Sequence, residues 1–87
     1  MEINDILSKR QERYGNFKDL AETSQQFKSV MKNTPNWHRL SADKREALEV
    51  TCTKMARILC GDSEYKDSWD DIGGYTQLVS QSLEDGQ

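Results

Sequence analysis

A chain of 87 residues, 34% of them hydrophobic and 31% charged, has room for one small domain with a thin core. We therefore expect residues 1–87 to form a single domain. Because a thin core gives one chain little buried surface, we also expect self-association into a homo-oligomer. The formal charge of −3 argues against general nucleic-acid binding, which needs Lys and Arg in clustered excess. No apolar run approaches the roughly 20 residues that cross a bilayer and the N-terminus lacks a signal-peptide core, so we expect a cytoplasmic protein without a membrane-spanning segment.

Apolar residues recur at helical spacing along the chain and predict four helical segments. The first segment covers about residues 2–14 and ends at Gly15, which is placed to act as a left-handed C-cap. Its stripe consists of Ile3, Ile6, Leu7, Arg10 and Tyr14. Asn16 is expected to cap the second segment, residues 17–32. The face that we expect this helix to bury consists of Phe17, Leu20, Ala21, Ser24, Phe27 and Met31.

The second half of the chain continues the same pattern. A short connection with Trp37 and Leu40 is expected to plug one end of the bundle before a third segment over residues 42–60. The predicted inner face of this segment consists of Leu48, Cys52, Met55, Ala56 and Leu59, broadened by Ala47, Val50 and Ile58. The fourth segment covers about residues 65–83, with a frayed tail at about 84–87. Its predicted inner face consists of Trp69, Ile72, Thr76, Val79 and Leu83. The sequence therefore predicts an all-α, compact bundle of about four helices.

Two adjacent glycines, Gly73 and Gly74, interrupt the fourth segment, where each costs about 1 kcal/mol relative to Ala. Such a cost indicates that something approaches the bare backbone closely. A neighbouring helix of the same chain, a ligand or a partner subunit would each do so, and a kink or an early helix end is the remaining reading.

The two cysteines lie eight residues apart on the third segment, so their Cα atoms would be about 12 Å apart. That separation is too large for a disulfide. We therefore expect Cys52 and Cys60 to be reduced thiols that fill core space.

Five carboxylates on the third and fourth segments are candidate metal ligands: Glu46, Glu49, Asp67, Asp70 and Asp71. Mg²⁺ takes oxygen ligands and keeps water for phosphates, so acids from two facing helices are a candidate nucleotide-phosphate site. Helical spacing turns most of these acids away from the apolar faces, which directs such a site to an outer groove or a subunit interface. The alternative for Asp67 and Asp70 is simple stabilisation of a helix N-terminus.

Basic residues near the ends of the first and third segments form a second group. Arg13, Lys54 and Arg57 are the candidates for contact with substrate phosphates, since Arg offers a planar bidentate fork. The alternative is a solvated face whose charges pair with nearby acids.

Four stretches of the chain stand out together: Arg13-Tyr14-Gly15-Asn16-Phe17, Arg45-Glu46-Ala47-Leu48, Lys54-Met55-Ala56-Arg57-Ile58-Leu59 and Asp67-Ser68-Trp69-Asp70-Asp71-Ile72-Gly73-Gly74-Tyr75. They resemble a family of small phage and prophage proteins and, more distantly, the MazG-type all-α nucleotide pyrophosphohydrolases. The resemblance implies a helical, oligomeric protein that binds Mg²⁺ through helix-borne acids and cleaves nucleoside triphosphates to monophosphates and pyrophosphate. The family's acidic pattern falls on Arg45, Glu46 and Glu49 and then on Asp67 and Asp70. A second register aligns the stretch from Asp71 to Tyr75 and leaves Lys54 near a ligand position.

Two hypotheses of different classes follow. The first is a phage-encoded, MazG-like protein of the host cytoplasm that binds or hydrolyses nucleotides with Mg²⁺ as cofactor. The second is a non-enzymatic phage module that binds a host or phage protein. The basic residues Arg45 and Lys54, at positions where the family pattern has acids, favour binding over hydrolysis.

Overall fold

The computed structural model describes residues 2–84, which form four α-helices and one short 3₁₀-helix. The elements are α1 (Ile3–Tyr14), α2 (Phe17–Lys32), the 3₁₀-helix (Trp37–Arg39), α3 (Ala42–Cys60) and α4 (Lys66–Glu84). No strand occurs in this range, so the all-α prediction is confirmed, and the helix bounds lie within two residues of those predicted. Glu84 is the last residue of α4, and the rest of the predicted tail lies outside the described residues.

The turn between α1 and α2 follows the predicted capping with one difference. The side chain of Asn16 accepts a hydrogen bond of 2.9 Å from the backbone N–H of Lys18, which caps α2. Gly15 has the positive φ expected there, at 87°, but its ψ of −178° is extended rather than left-handed helical. That combination is open essentially to glycine alone.

The central element is α3, which contacts each of the other three α-helices. The helix α2 packs antiparallel to α3, through Met31 beside Cys52 and through the hydroxyls of Ser24 and Thr53, which are 3.3 Å apart. The helix α4 packs antiparallel on the other side of α3, where Lys54 forms a salt bridge of 2.7 Å with Asp71. The helices of the described residues thus form the predicted all-α bundle, and its α2–α3–α4 part is an open layer.

The buried side chains are mostly small: Leu20, Ser24, Trp37, Ala47, Cys52, Ala56 and Ser68. Small residues allow helices to approach closely. Of the two residues expected to plug one end of the bundle, Trp37 is buried and Leu40 is half-buried. Both cysteines are free, with Cys52 buried and Cys60 half-buried.

The predicted core is wrong for six large residues. Phe17, Leu48, Met55, Leu59, Trp69 and Leu83 were expected inside, and each remains between 37% and 80% exposed. Phe17 is the first residue of α2 and borders a cleft between α1 and α2. For the other five, the physical reason is that α2 and α4 cover two opposite sides of α3, which leaves the side between them open. The bulky side chains of α3 and α4 point to that side.

The helix α1 extends away from this layer. None of its twelve residues is buried by the rest of the described chain, and Ile3, Ile6 and Leu7 are exposed. The molecule measures 48 × 27 × 21 Å with a radius of gyration of 15.0 Å, against about 12 Å for a compact domain of this length. The bundle is therefore elongated, because α1 projects from it. No helix within residues 2–84 has both the length and the apolar character that a membrane span requires.

The glycine pair of α4 has no neighbour of its own chain. The helix continues through Gly73 and Gly74, and a Cβ built on either would meet nothing within 4 Å in residues 2–84. The expectation that a neighbouring helix of this chain packs on the glycines is wrong. A ligand or a partner subunit remains as the group that could lie against the glycine backbone.

Candidate anion-binding site

Two other glycines bring the corner between α1 and α2 against the end of α3. A Cβ on Gly15 would lie 2.6 Å from the carbonyl carbon of Cys60, and one on Gly61 would lie 2.6 Å from the Cα atom of Tyr14. The backbone N–H of Asp62 donates a hydrogen bond of 2.8 Å to the carbonyl oxygen of Arg13. The two backbones therefore touch, and only glycine permits this approach.

This contact gathers three arginines around two tyrosine rings. The guanidinium carbons of Arg57 and Arg10 lie 4.5 Å and 5.0 Å from the ring centroid of Tyr14. The guanidinium carbon of Arg13 lies 4.5 Å from the ring centroid of Tyr65. The two rings pack edge to face with centroids 5.9 Å apart. We call these five residues the arginine–tyrosine cluster.

The cluster carries unbalanced positive charge. Over residues 2–84, none of its three guanidinium groups forms an ion pair with a carboxylate. The Nε atom of Arg57 is buried and has no hydrogen-bond partner in that range. A buried donor without an acceptor is costly, and because this Nε atom is enclosed by protein, an anion at the cluster would be held by the other N–H groups of the guanidinium. Stacking on an aromatic ring holds a guanidinium in place while its N–H edge stays free for a phosphate.

One carboxylate touches the edge of the cluster. The hydroxyl of Tyr65 donates a hydrogen bond of 3.1 Å to Asp67, and this bond raises the pKa of Tyr65 above its ordinary value. The tyrosine therefore stays neutral at physiological pH and holds Asp67 by its hydroxyl, away from direct pairing with the guanidinium groups.

A cleft of about 230 Å³ adjoins the cluster on the side of α1 and α2. It is lined by Leu7, Arg10, Gln11, Tyr14, Gly15, Phe17 and Leu20. Its volume lies below the range of about 300–1,000 Å³ typical of drug-sized ligands, which suits part of a nucleotide better than the whole. The exposed ring of Phe17 stands at its margin and offers an aromatic face for stacking.

The predicted phosphate contacts divide between two places. Arg13 and Arg57 both belong to the cluster. Lys54 does not, because its side chain is only 16% exposed and pairs with Asp71 between α3 and α4.

The five predicted metal ligands do not converge within one chain. Glu49 pairs with Lys32 at 3.7 Å, Asp71 with Lys54 at 2.7 Å and Asp70 with Lys66 at 2.7 Å. The bond to Asp70 also raises the pKa of Lys66.

The two remaining acids stand apart from these pairs. Asp67 accepts from Tyr65, and Glu46 borders a separate cleft near Asp43. In the described part of the chain, no group of three or more His, Cys, Asp or Glu side chains could hold a metal ion. These residues therefore do not fit Mg²⁺ inside a single chain.

Four members of the site region were not predicted from sequence as ligand contacts: Arg10, Tyr14, Tyr65 and Phe17. The signals that point to them are the four-residue spacing of Arg10 and Tyr14, which allows contact along one helix face, and the two helix-ending glycines.

Comparison with known proteins adds no relative. No protein-family model, no curated protein and no solved structure matches the chain significantly. The assignment of function therefore depends on the chemistry of the cluster.

Proposed function

We propose that this protein binds a phosphorylated small molecule, of the nucleotide class, at the arginine–tyrosine cluster. The observation that supports the proposal is the set of three guanidinium groups held around two tyrosine rings without a carboxylate partner. The MazG-like resemblance favours a nucleotide as the ligand and a role in phage nucleotide metabolism in the host cytoplasm.

The chemistry of the cluster suits a di- or triphosphate. Arg13 and Arg57 each present a planar fork that can hold two oxygens of one phosphate or one oxygen on each of two phosphates. Arg10 belongs to the cluster and also lines the adjoining cleft, so it can neutralise the next phosphate of the ligand. Phe17 is placed to stack on a base or sugar that lies over the cleft.

A single chain binds the phosphorylated ligand in this proposal and does not hydrolyse it. Hydrolysis of a phosphoanhydride in the MazG-like manner needs a metal held by several carboxylates. Here the acids of α3 and α4 are paired with lysines or lie apart. The predicted Mg²⁺ site stays a prediction that would need acids from more than one chain.

Calorimetric titration of the full chain with inorganic pyrophosphate, nucleoside triphosphates and deoxynucleoside triphosphates, each with and without Mg²⁺, tests this proposal. Arg13→Gln and Arg57→Gln should weaken binding roughly 10- to 100-fold each, because each removes a charge-assisted hydrogen bond to phosphate. Arg39→Gln is the matched control, since Arg39 is exposed and distant in sequence from the cluster. Binding should also weaken as salt rises.

Two results would count against nucleotide binding. One is the absence of heat and of any ligand-induced rise in melting temperature with every compound in the panel. The other is equal affinity of the Arg13→Gln and Arg39→Gln variants. Circular dichroism of each variant verifies that the helices remain folded.

A second candidate function, docking on a host or phage protein, is favoured by α1. Ile3 and Leu7 are 68% and 56% exposed on a helix whose first turns project from the molecule. A host protein that co-purifies in fixed stoichiometry with the natural chain and is lost with Ile3→Glu would support this function. That variant should leave nucleotide binding unchanged, because Ile3 does not line the cleft.

A further inference from the structure

The open side of the layer carries two helical stripes with heptad spacing. On α3 the stripe is Leu48, Cys52, Met55 and Leu59, and on α4 it is Trp69, Gly73, Thr76, Ser80 and Leu83. Steps of four and three residues keep each stripe along one side of its helix. We call the two stripes together the open face.

Both stripes face the same side of the molecule. Leu48 and Thr76 line one mostly apolar cavity of about 210 Å³ between α3 and α4, together with Leu40, Lys44, Ala47 and Val79. The opposite side of the same helix pair is different, because Glu46 and Asp43 share a cleft there with Leu78. The open face is therefore continuous across α3 and α4.

The open face carries no charged residue and is largely uncovered: eight of its nine residues are exposed, and Cys52 is buried beside Met31 of α2. Leu59 is 67% exposed, Leu83 is 57% exposed and Trp69 is 55% exposed. None of its nine residues carries a charge, in a chain of which 31% is charged. Charged residues are depleted in the buried centres of protein interfaces in the same way.

From these observations we infer that the open face is a dimerisation surface for a second copy of this chain. The large side chains of the two stripes expose on the order of 500 Å² per chain, at the upper end of the apolar patches found on monomers and more than half of the ~800 Å² that each partner gives to a standard interface. The rim that surrounds the stripes supplies the remainder.

Three features specify a second copy as the occupant. Each chain carries a formal charge of −3, and the nine residues of the open face place no like charges opposite one another when two copies meet there. The core of one chain is too thin to contain a large side chain that is fully buried among the described residues, and a dimer adds the missing apolar core. Heptad spacing on two adjacent helices is the pattern that packs helix pairs into four-helix arrangements.

Gly73 then has a structural role. It lies between Trp69 and Thr76 in the α4 stripe, where its bare backbone faces open space in the single chain. A helix of the second copy can approach closest at this point. Gly74 lies about 100° further round α4, away from the stripe, and serves as its matched control.

Sedimentation equilibrium of the full chain over a wide concentration range tests the inference. We expect a mass twice the 10.1 kDa of one chain, with dissociation on dilution. Leu59→Glu and Leu83→Glu should each raise the dimer dissociation constant roughly thirtyfold or more, as loss of an interface anchor does. Leu78→Glu, on the same helix and 64% exposed, should leave it unchanged.

Gly73→Ala provides a test that does not depend on a disruptive charge. Alanine favours the helix, so the variant folds, yet the added methyl group should raise the dissociation constant roughly tenfold if a second helix lies against it. Gly74→Ala should dimerise like the natural chain. A natural chain that stays monomeric at every concentration overturns the inference and assigns the open face to a different protein. Equal dimerisation of the Gly73→Ala and Gly74→Ala variants overturns it as well.

Discussion

Replacement of Gly15 by alanine tests how the arginine–tyrosine cluster is assembled. The residue has φ 87° and ψ −178°, a combination that costs a non-glycine residue about 1–3 kcal/mol. The added Cβ would also overlap the carbonyl group of Cys60, so the corner would have to open. Opening it would break the hydrogen bond from Asp62 to Arg13, which contributes about 1 kcal/mol.

The net effect on stability follows from these contributions. Alanine restricts the unfolded chain and thereby stabilises the folded state by about 0.4–1 kcal/mol, so we expect Gly15→Ala to lower the free energy of unfolding by about 1–4 kcal/mol. For a domain of this size, about 4–8 °C of melting temperature corresponds to each kcal/mol, so the melting temperature should fall by roughly 5–30 °C. Pyrophosphate binding should weaken too, because Arg13 and Arg57 move apart.

The assay is thermal unfolding followed by circular dichroism, at equal protein concentration for each variant. Gly74→Ala is the control with the opposite sign, because its Cβ enters open space on α4 and its helix propensity should raise the melting temperature by about 4–8 °C. A Gly15→Ala variant that melts with the natural chain would refute the close backbone contact. So would a Gly74→Ala variant that loses as much stability as Gly15→Ala.

Three further outcomes are expected. The hydrogen bond to Asp67 raises the pKa of Tyr65, so the stabilisation from this bond is complete below a pH of about 10 and is lost as pH rises through the raised pKa. Asp67→Asn should shift the titration of the Tyr65 phenol, followed by phenolate absorbance, to lower pH. Asp71→Asn leaves the mostly buried charge of Lys54 without its partner, so urea unfolding should show a free energy of unfolding lower by about 1 kcal/mol. The value is modest because Asp71 is 46% exposed, and an unchanged free energy of unfolding would contradict a structural role for the pair. Burial raises the pKa of the Cys52 thiol, so this thiol should react with a disulfide reagent only as the protein unfolds, and rapid labelling in the folded state would contradict its burial.

The sequence predicts the helices well because their signals are local. Gly15, Asn16 and Gly61 mark helix ends through backbone geometry and capping, and these depend on a few neighbouring residues. Periodicity likewise identifies Leu20 and Cys52 as residues of an inward face.

The sequence does not reveal what covers an apolar face. Leu59 and Trp69 belong to the most regular stripes of their helices, yet the structure leaves both exposed, because α3 is flanked on two sides and open on a third. Ser24 and Ser68 are buried instead, since small residues lie where helices approach most closely. Which of two sides of a helix receives a neighbour is a tertiary property that periodicity does not encode.

The candidate site was only partly predictable for the same reason. Arg13 and Arg57 follow from the chemistry of phosphate recognition, whereas Tyr14 and Tyr65 meet only because two glycines far apart in sequence let the backbones touch. The acids of α3 and α4 have suitable spacing within each helix, but the lysine partners of Asp70 and Asp71 depend on helix rotation and on local pairing.

The weak attachment of α1 links ligand occupancy to local order. Its first turns lack buried side chains, so this helix should open without loss of the α2–α3–α4 layer, and its amides should exchange hydrogen much faster than those of α3. Arg10 and Arg13 leave the cluster whenever α1 opens, so an anion that needs them binds only the closed form. The anion-bound protein should therefore show slower amide hydrogen exchange along α1. The increase in protection would measure the free-energy cost of ordering this helix, which opposes binding.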